Sequence, residues 1–119
     1  KYMTRLTENY DIEAMKKAAG YLIGEHDFKS FCDNKRMKKS TIRTISDISI
    51  NNSDGIITID FYGNGFLYHM VRILTGTLLM VGTHDISCDD IPEIIEKKSR
   101  SAAGFTAPPQ GLCLVEVYY

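Results

Sequence analysis

The residues best suited to chemistry in this chain are Arg72 and His69. They lie three apart on a segment that runs from a glycine-marked turn, Gly63-Asn64-Gly65, into a strongly apolar stretch reaching Val81. Between Phe66 and Val81 the other polar side chains are Tyr68, Thr75 and Thr77. A helix that is apolar nearly all round is a buried helix. A guanidinium does not give up its proton, so Arg72 on such a helix requires water, a carboxylate or a phosphate. Burying it unpaired costs about 3–5 kcal/mol, against a whole-domain stability of ~5–15 kcal/mol. At this spacing His69 and Arg72 share a helix face with Gly76 a turn further on, which leaves room for a backbone or a ligand. His69 alone reads as a satisfied core histidine sooner than as a catalyst, and the cost of burying Arg72 idle makes Arg72 the stronger functional candidate.

Other patterns carry less. No Gly-Lys-Ser/Thr follows Gly63-Asn64-Gly65, so it is not a P-loop, and the third glycine of a dinucleotide fingerprint is missing. It reads as a tight strand-to-helix turn, whose free N–H groups can receive a phosphate or a carbonyl. His26-Asp27 are sequence neighbours, which do not face one another in a helix or strand, and their reading is structural. Cys32 stands in no nucleophile context, and no metal-ligand cluster can be assembled from the spacing.

The 119 residues suit one domain with an adequate apolar core, and a net charge of −1 gives no global case for nucleic-acid or membrane binding. The charge is uneven, however. Lys35, Arg36, Lys38, Lys39 and Arg43 form a basic run without an acid, read as a phosphate-contacting loop or a solvated surface. Asp85, Asp89, Asp90, Glu93 and Glu96 make an acidic segment that reads as solvated surface. Cys32, Cys88 and Cys113 are odd in number and widely spaced, the usage of reduced thiols in a cytosolic protein. No apolar run is long enough to span a membrane, and nothing resembles a signal peptide. A start at Lys1 rather than Met reads as a fragment of something longer.

The elements that must position Arg72 follow from periodicity. Asp11 caps a helix carrying Ile12, Met15, Ala18, Ala19, Leu22 and Ile23, with Gly24 as its stop. Residues 26–31 offer a short helical turn or a packed loop, and the basic stretch to Ser40 reads as loop. Ile42, Ile45, Ile48 and Ile50 predict a strand, bulged where their spacing slips from two to three. Asn52-Ser53-Asp54-Gly55 signals a hairpin, and Ile57, Ile59 and Phe61 share one face of the returning strand. The buried helix then runs to about Val81. Ser87 or Asp89 caps a shorter acidic helix through Lys97. Ala107-Pro108-Pro109-Gln110-Gly111 is extended, and Leu112 to Tyr119 is a last strand. The order predicts an α+β domain, a mainly antiparallel sheet with helices on one face.

At these residues the chain resembles the tRNA pseudouridine synthases of the A type. The resemblance is carried by Leu22-Ile23-Gly24-Glu25-His26-Asp27-Phe28, Ser30-Phe31, Thr41-Ile42-Arg43, the segment from Gly63 to Gly76, Gly82, and Thr106-Ala107-Pro108-Pro109-Gln110-Gly111-Leu112. It implies the C-terminal half of an enzyme that isomerises uridine to pseudouridine in the anticodon stem-loop of tRNA. Such enzymes use no cofactor or metal and are usually homodimers. The resemblance further implies an aspartate, within an Arg-Thr-Asp motif, that attacks or assists cleavage of the glycosidic bond, and a tyrosine packed on the base. By position the arginine that pairs with the aspartate is Arg72, and the leucine that closes the pocket is Leu112. Asn64, Phe66 and His69 become pocket neighbours, and Lys35, Arg36, Lys38, Lys39 and Arg43 would meet tRNA phosphates. The 119 residues contain no Arg-Thr-Asp motif. The implied chemistry therefore needs a carboxylate from the enzyme's own N-terminal domain, and the domain alone is expected to be inactive. Two readings from other classes stand beside this one: a stand-alone RNA-binding module, and a dimerisation domain.

Overall fold

The computed structural model describes residues 10–32, 40–53, 56–66, 70–104 and 113–118. Within them the order is α1 (Ile12–Leu22), β1 (Gly24–Asp27), β2 (Ile42–Ser53), β3 (Ile56–Gly63), α2 (Met70–Gly82), α3 (Ile91–Lys97) and β4 (Cys113–Tyr118). Short 3₁₀ turns occur at Lys29–Phe31, Cys88–Asp90 and Arg100–Ala102. The strands form one sheet in the order β1-β2-β3-β4. The first three are antiparallel and β4 runs parallel to β3. This is the expected α+β class. Its parallel edge was not foreseen, and it follows from the long crossover through α2 and α3 that returns the chain to the sheet.

Local chemistry accounts for the elements. Asp11 is the N-cap of α1, its Oδ1 accepting the Ala14 N–H at 3.0 Å. The helix buries Met15, Ala18, Ala19 and Leu22 and ends one residue earlier than the periodicity suggests. Gly24, expected to stop it, instead opens β1, a strand that the sequence pattern does not announce. Along β2 the register slips between Ile45 and Asp47, so Ser46 is the extra residue of a bulge. That slip turns Ile45, Ile48 and Ile50 all inward, while Ile42 stays exposed. On β3, Ile57, Ile59 and Phe61 are fully buried and Thr58, Asp60 and Tyr62 are not, the alternation of a sheet with one core face.

The helix α2 is the centre of the core. Residues 73–79 are buried without exception, as its all-round apolarity predicts. Its two buried hydroxyls are satisfied within the helix, Thr75 Oγ1 donating to Val71 O and Thr77 Oγ1 to Ile73 O, each at 2.8 Å. These residues join those of α1, β2 and β3 in a single apolar cluster. Ser87 caps the turn before α3, its Oγ accepting the Asp89 N–H at 3.3 Å. Among the described residues no helix is long and apolar enough to cross a membrane. The hairpin tip at Asp54-Gly55 and the Ala107–Gly111 segment lie outside the described residues.

Ser30 ties the 3₁₀ turn to α3. Its buried hydroxyl donates to Ile94 O at 2.7 Å and accepts the Ser99 N–H at 2.9 Å. Replacing Ser30 with alanine strands both backbone groups, and is expected to cost about 1–3 kcal/mol. A denaturant midpoint equal to wild type would contradict this.

Candidate functional site

The turn from β3 into α2 is built against β2. Gly63 pairs with Ile45, and a Cβ on Gly63 would stand 2.8 Å from Thr44 O and 3.2 Å from Phe66 Cζ. Only a residue without a side chain permits that approach. The next residue extends the ladder in an unusual way. The Asn64 N–H donates to Thr44 O at 3.2 Å, while the Thr44 N–H donates to the side-chain Oδ1 of Asn64 at 3.1 Å. Gly65 then takes φ +154°, a conformation that favours glycine, and the chain leaves the sheet. Phe66 is half-buried and packs against the core.

Arg43 flanks this turn. Its Nη1 donates to Ser40 O at 2.8 Å and to Ile42 O at 2.7 Å, which fixes the guanidinium on its own strand. Its Nε lies 3.9 Å from where a Cβ on Gly65 would stand. The structure thus brings Arg43, Asn64 and Phe66 to one end of the sheet, beside the segment that leads into α2.

Arg72 is half-buried near the start of α2, just ahead of the fully buried run 73–79. A cation gains nothing from a helix dipole at that end, where anions are favoured. The helix dipole therefore does not account for an arginine here. His69, Leu112, Lys35, Arg36, Lys38 and Lys39 lie outside the described residues.

Gly104 is anchored on the same helix. The Gly104 N–H donates to Thr77 Oγ1 at 2.9 Å, and Arg100 Nη1 donates to Gly104 O at 2.8 Å. Neither Thr77 nor Gly104 stands out in the sequence. A threonine in an apolar helix signals at most a satisfied hydroxyl, and its tertiary partner is 27 residues away.

His26-Asp27 has the structural role expected. The His26 ring stacks edge-on against Phe28, with centroids 5.7 Å apart, and its Nε2 donates to Ile23 O at 3.0 Å. Asp27 accepts the Lys29 N–H at 3.1 Å and the Thr41 hydroxyl, with Lys98 Nζ 3.9 Å away. The acidic segment is largely exposed surface. Lys17, and then the Tyr21 hydroxyl, hold the Asp89 carboxyl below its usual range through hydrogen bonds at 3.2 and 3.1 Å. Cys32 and Cys88 are free thiols.

Residues 18–119 match the family model described as tRNA pseudouridine synthase. The chain is 47% identical over 114 residues to tRNA pseudouridine synthase A of Acetivibrio thermocellus, covering 96% of this chain and 47% of the relative. It is 48% identical over 118 residues to the protein of that name from a Thermoanaerobacter species, covering 99% and 48%. It is 48% identical over 119 residues to tRNA pseudouridine synthase A 1 of Clostridium tetani, covering 100% and 49%. The chain spans about half the length of the curated relatives it matches.

Proposed function

Because the chain belongs to the tRNA pseudouridine synthase family, we propose that it is the C-terminal half of an enzyme that isomerises uridine to pseudouridine in the anticodon stem-loop of tRNA. The observation that carries this reading is the 48% identity, over all 119 residues, to a relative named tRNA pseudouridine synthase A 1. A stand-alone binding module or a dimerisation domain is disfavoured by the same match.

The division of labour follows from the residues present. Uridine and pseudouridine contain the same atoms, so the reaction needs no co-substrate, and no cofactor or metal is assigned. The base must leave its stack and be held from more than one side. The attacking aspartate comes from the enzyme's other half, since these 119 residues hold no Arg-Thr-Asp. Arg72 pairs with it and keeps it ionised, an opposite charge within ~4–6 Å lowering a carboxyl pKa by roughly 1–3. Leu112 is assigned to the apolar wall of the pocket, with His69 and Phe66 beside it. Lys35, Arg36, Lys38, Lys39 and Arg43 take phosphates, giving affinity without reading sequence. The complete enzyme is assigned to the cytoplasm as a homodimer.

The test is incubation of the full-length protein with unmodified tRNA, followed by mapping of pseudouridine. Product in the anticodon stem-loop is expected, and its absence would remove the proposal. Neutralising Lys35, Arg36, Lys38 and Lys39 is expected to weaken tRNA binding and flatten its salt dependence. The log–log slope should fall by about 0.7–0.9 for each phosphate that is no longer neutralised. An unchanged slope would return that run to solvated surface.

A further inference from the structure

We infer that Asn64 is a positioning residue, whose carboxamide oxygen forms the last rung between β2 and the turn into α2 and so sets where that helix begins. In an antiparallel ladder a hydrogen-bonded pair exchanges two backbone bonds. The pair of Thr44 and Asn64 exchanges one backbone bond, Asn64 N–H to Thr44 O, and one through a side chain, Thr44 N–H to Asn64 Oδ1. The side-chain oxygen stands in for the backbone carbonyl of residue 64. That carbonyl is released from the ladder one residue before Gly65 turns the chain at φ +154°. The rung is complete although the backbone has already left the strand.

The consequence reaches the helix. Gly63 is pressed on the Thr44 carbonyl, with 2.8 Å to its would-be Cβ, so residues 63 and 64 have one seat on β2. Phe66 packs on the core two residues later, and α2 follows from Met70 with Arg72 in its first turn. Without the side-chain oxygen, the Thr44 amide loses its acceptor. The chain then either continues the ladder with the backbone carbonyl of residue 64, which moves the turn, or leaves the rung open to water. Both loosen the start of the helix that carries Arg72. Asn64 thereby acts through Thr44 and the turn, and touches no reacting atom.

This rests on the reading of Arg72 as part of a pseudouridine-forming site, and the experiment separates the two. The full-length protein, as wild type, Asn64→Ala and Asn64→Asp, is followed by hydrogen exchange at the Thr44 amide and by single-turnover kinetics on unmodified tRNA. Aspartate keeps an acceptor oxygen at the same reach but loses the amide donors and adds a negative charge. In Asn64→Ala the Thr44 amide is expected to exchange about tenfold faster. Its catalytic step should slow by about 10–100-fold, the scale of a misplacement near 1 Å, with tRNA affinity within threefold of wild type. In Asn64→Asp the protection and most of the catalytic rate should return. Equal loss in both variants, or weakened tRNA binding with Thr44 still protected, would overturn the inference and make Asn64 a tRNA-binding residue. A wild-type protein that forms no pseudouridine would sink the functional reading alone, since the Thr44 exchange still reports on the rung.

Discussion

Replacing Arg72 with alanine in the full-length enzyme is expected to reduce pseudouridine formation by at least about 10²–10³-fold, the cost of removing one preorganised charge from a reacting centre. tRNA affinity should stay within severalfold of wild type, because under the proposed function phosphate contact falls to the basic run and not to Arg72. A large loss of rate beside a small loss of affinity is the mark of a charge that acts on the reaction. Arg72 is half-buried near the start of α2, ahead of seven buried residues, at the helix end where a cation is least favoured. Arg72→Lys should recover part of the rate, since lysine keeps the charge but not the planar fork that meets a carboxylate with two bonds. Single-turnover rates beside a filter-binding titration decide the matter. Near-normal turnover in the alanine variant would take Arg72 out of the active site.

The second large effect concerns the seat of Gly104 on α2. Gly104→Ala places a methyl 2.8 Å from Thr77 Cα, 3.0 Å from Thr77 N and 3.0 Å from Met80 Sδ. Two of these atoms are helix backbone, which cannot rotate aside. Overpacking of this kind costs about 1–3 kcal/mol. The displacement also strains the buried bond from Gly104 N–H to Thr77 Oγ1 and the part-buried one from Arg100 Nη1 to Gly104 O. A total of about 2–4 kcal/mol is expected, lowering Tm by roughly 5–15 °C for a protein of this family's length. Thr77→Ser should be far milder, because it keeps the hydroxyl that links Gly104 to Ile73 O. A Tm for Gly104→Ala within a degree or two of wild type would show that the two segments separate freely.

What the sequence discloses and what it hides have distinct physical causes. The Asp11 cap, the Ser46 bulge and the inward face of Ile57, Ile59 and Phe61 are written in side-chain type and spacing, and all are present. So is the burial of α2, because no rotation of that helix exposes a polar stripe. The strand β1 is only four residues long and mostly polar, so no alternation announces it. The parallel seat of β4 beside β3 is a tertiary choice made across more than fifty residues, which local pattern does not record.

The site divides in the same way. Arg72 is singled out by sequence because a guanidinium on an apolar helix must have water or an anion as partner, and the structure sets it half-buried in the first turn of α2. The rung between Thr44 and Asn64 is not, since half of it is backbone and the other half is an asparagine that the family resemblance assigns to the pocket. The link from Thr77 to Gly104 is hidden for a related reason: its content is a close approach between segments, and neither residue type advertises one.

The central claim is that this chain supplies the arginine, and another part of the enzyme the aspartate, of one active site. The most direct measurement is pseudouridine formation on unmodified tRNA by these 119 residues alone, and by the same residues joined to the half bearing Arg-Thr-Asp. No product is expected from the first, and pseudouridine in the anticodon stem-loop from the second. Turnover by the 119 residues alone, or none from the joined protein, would contradict the claim.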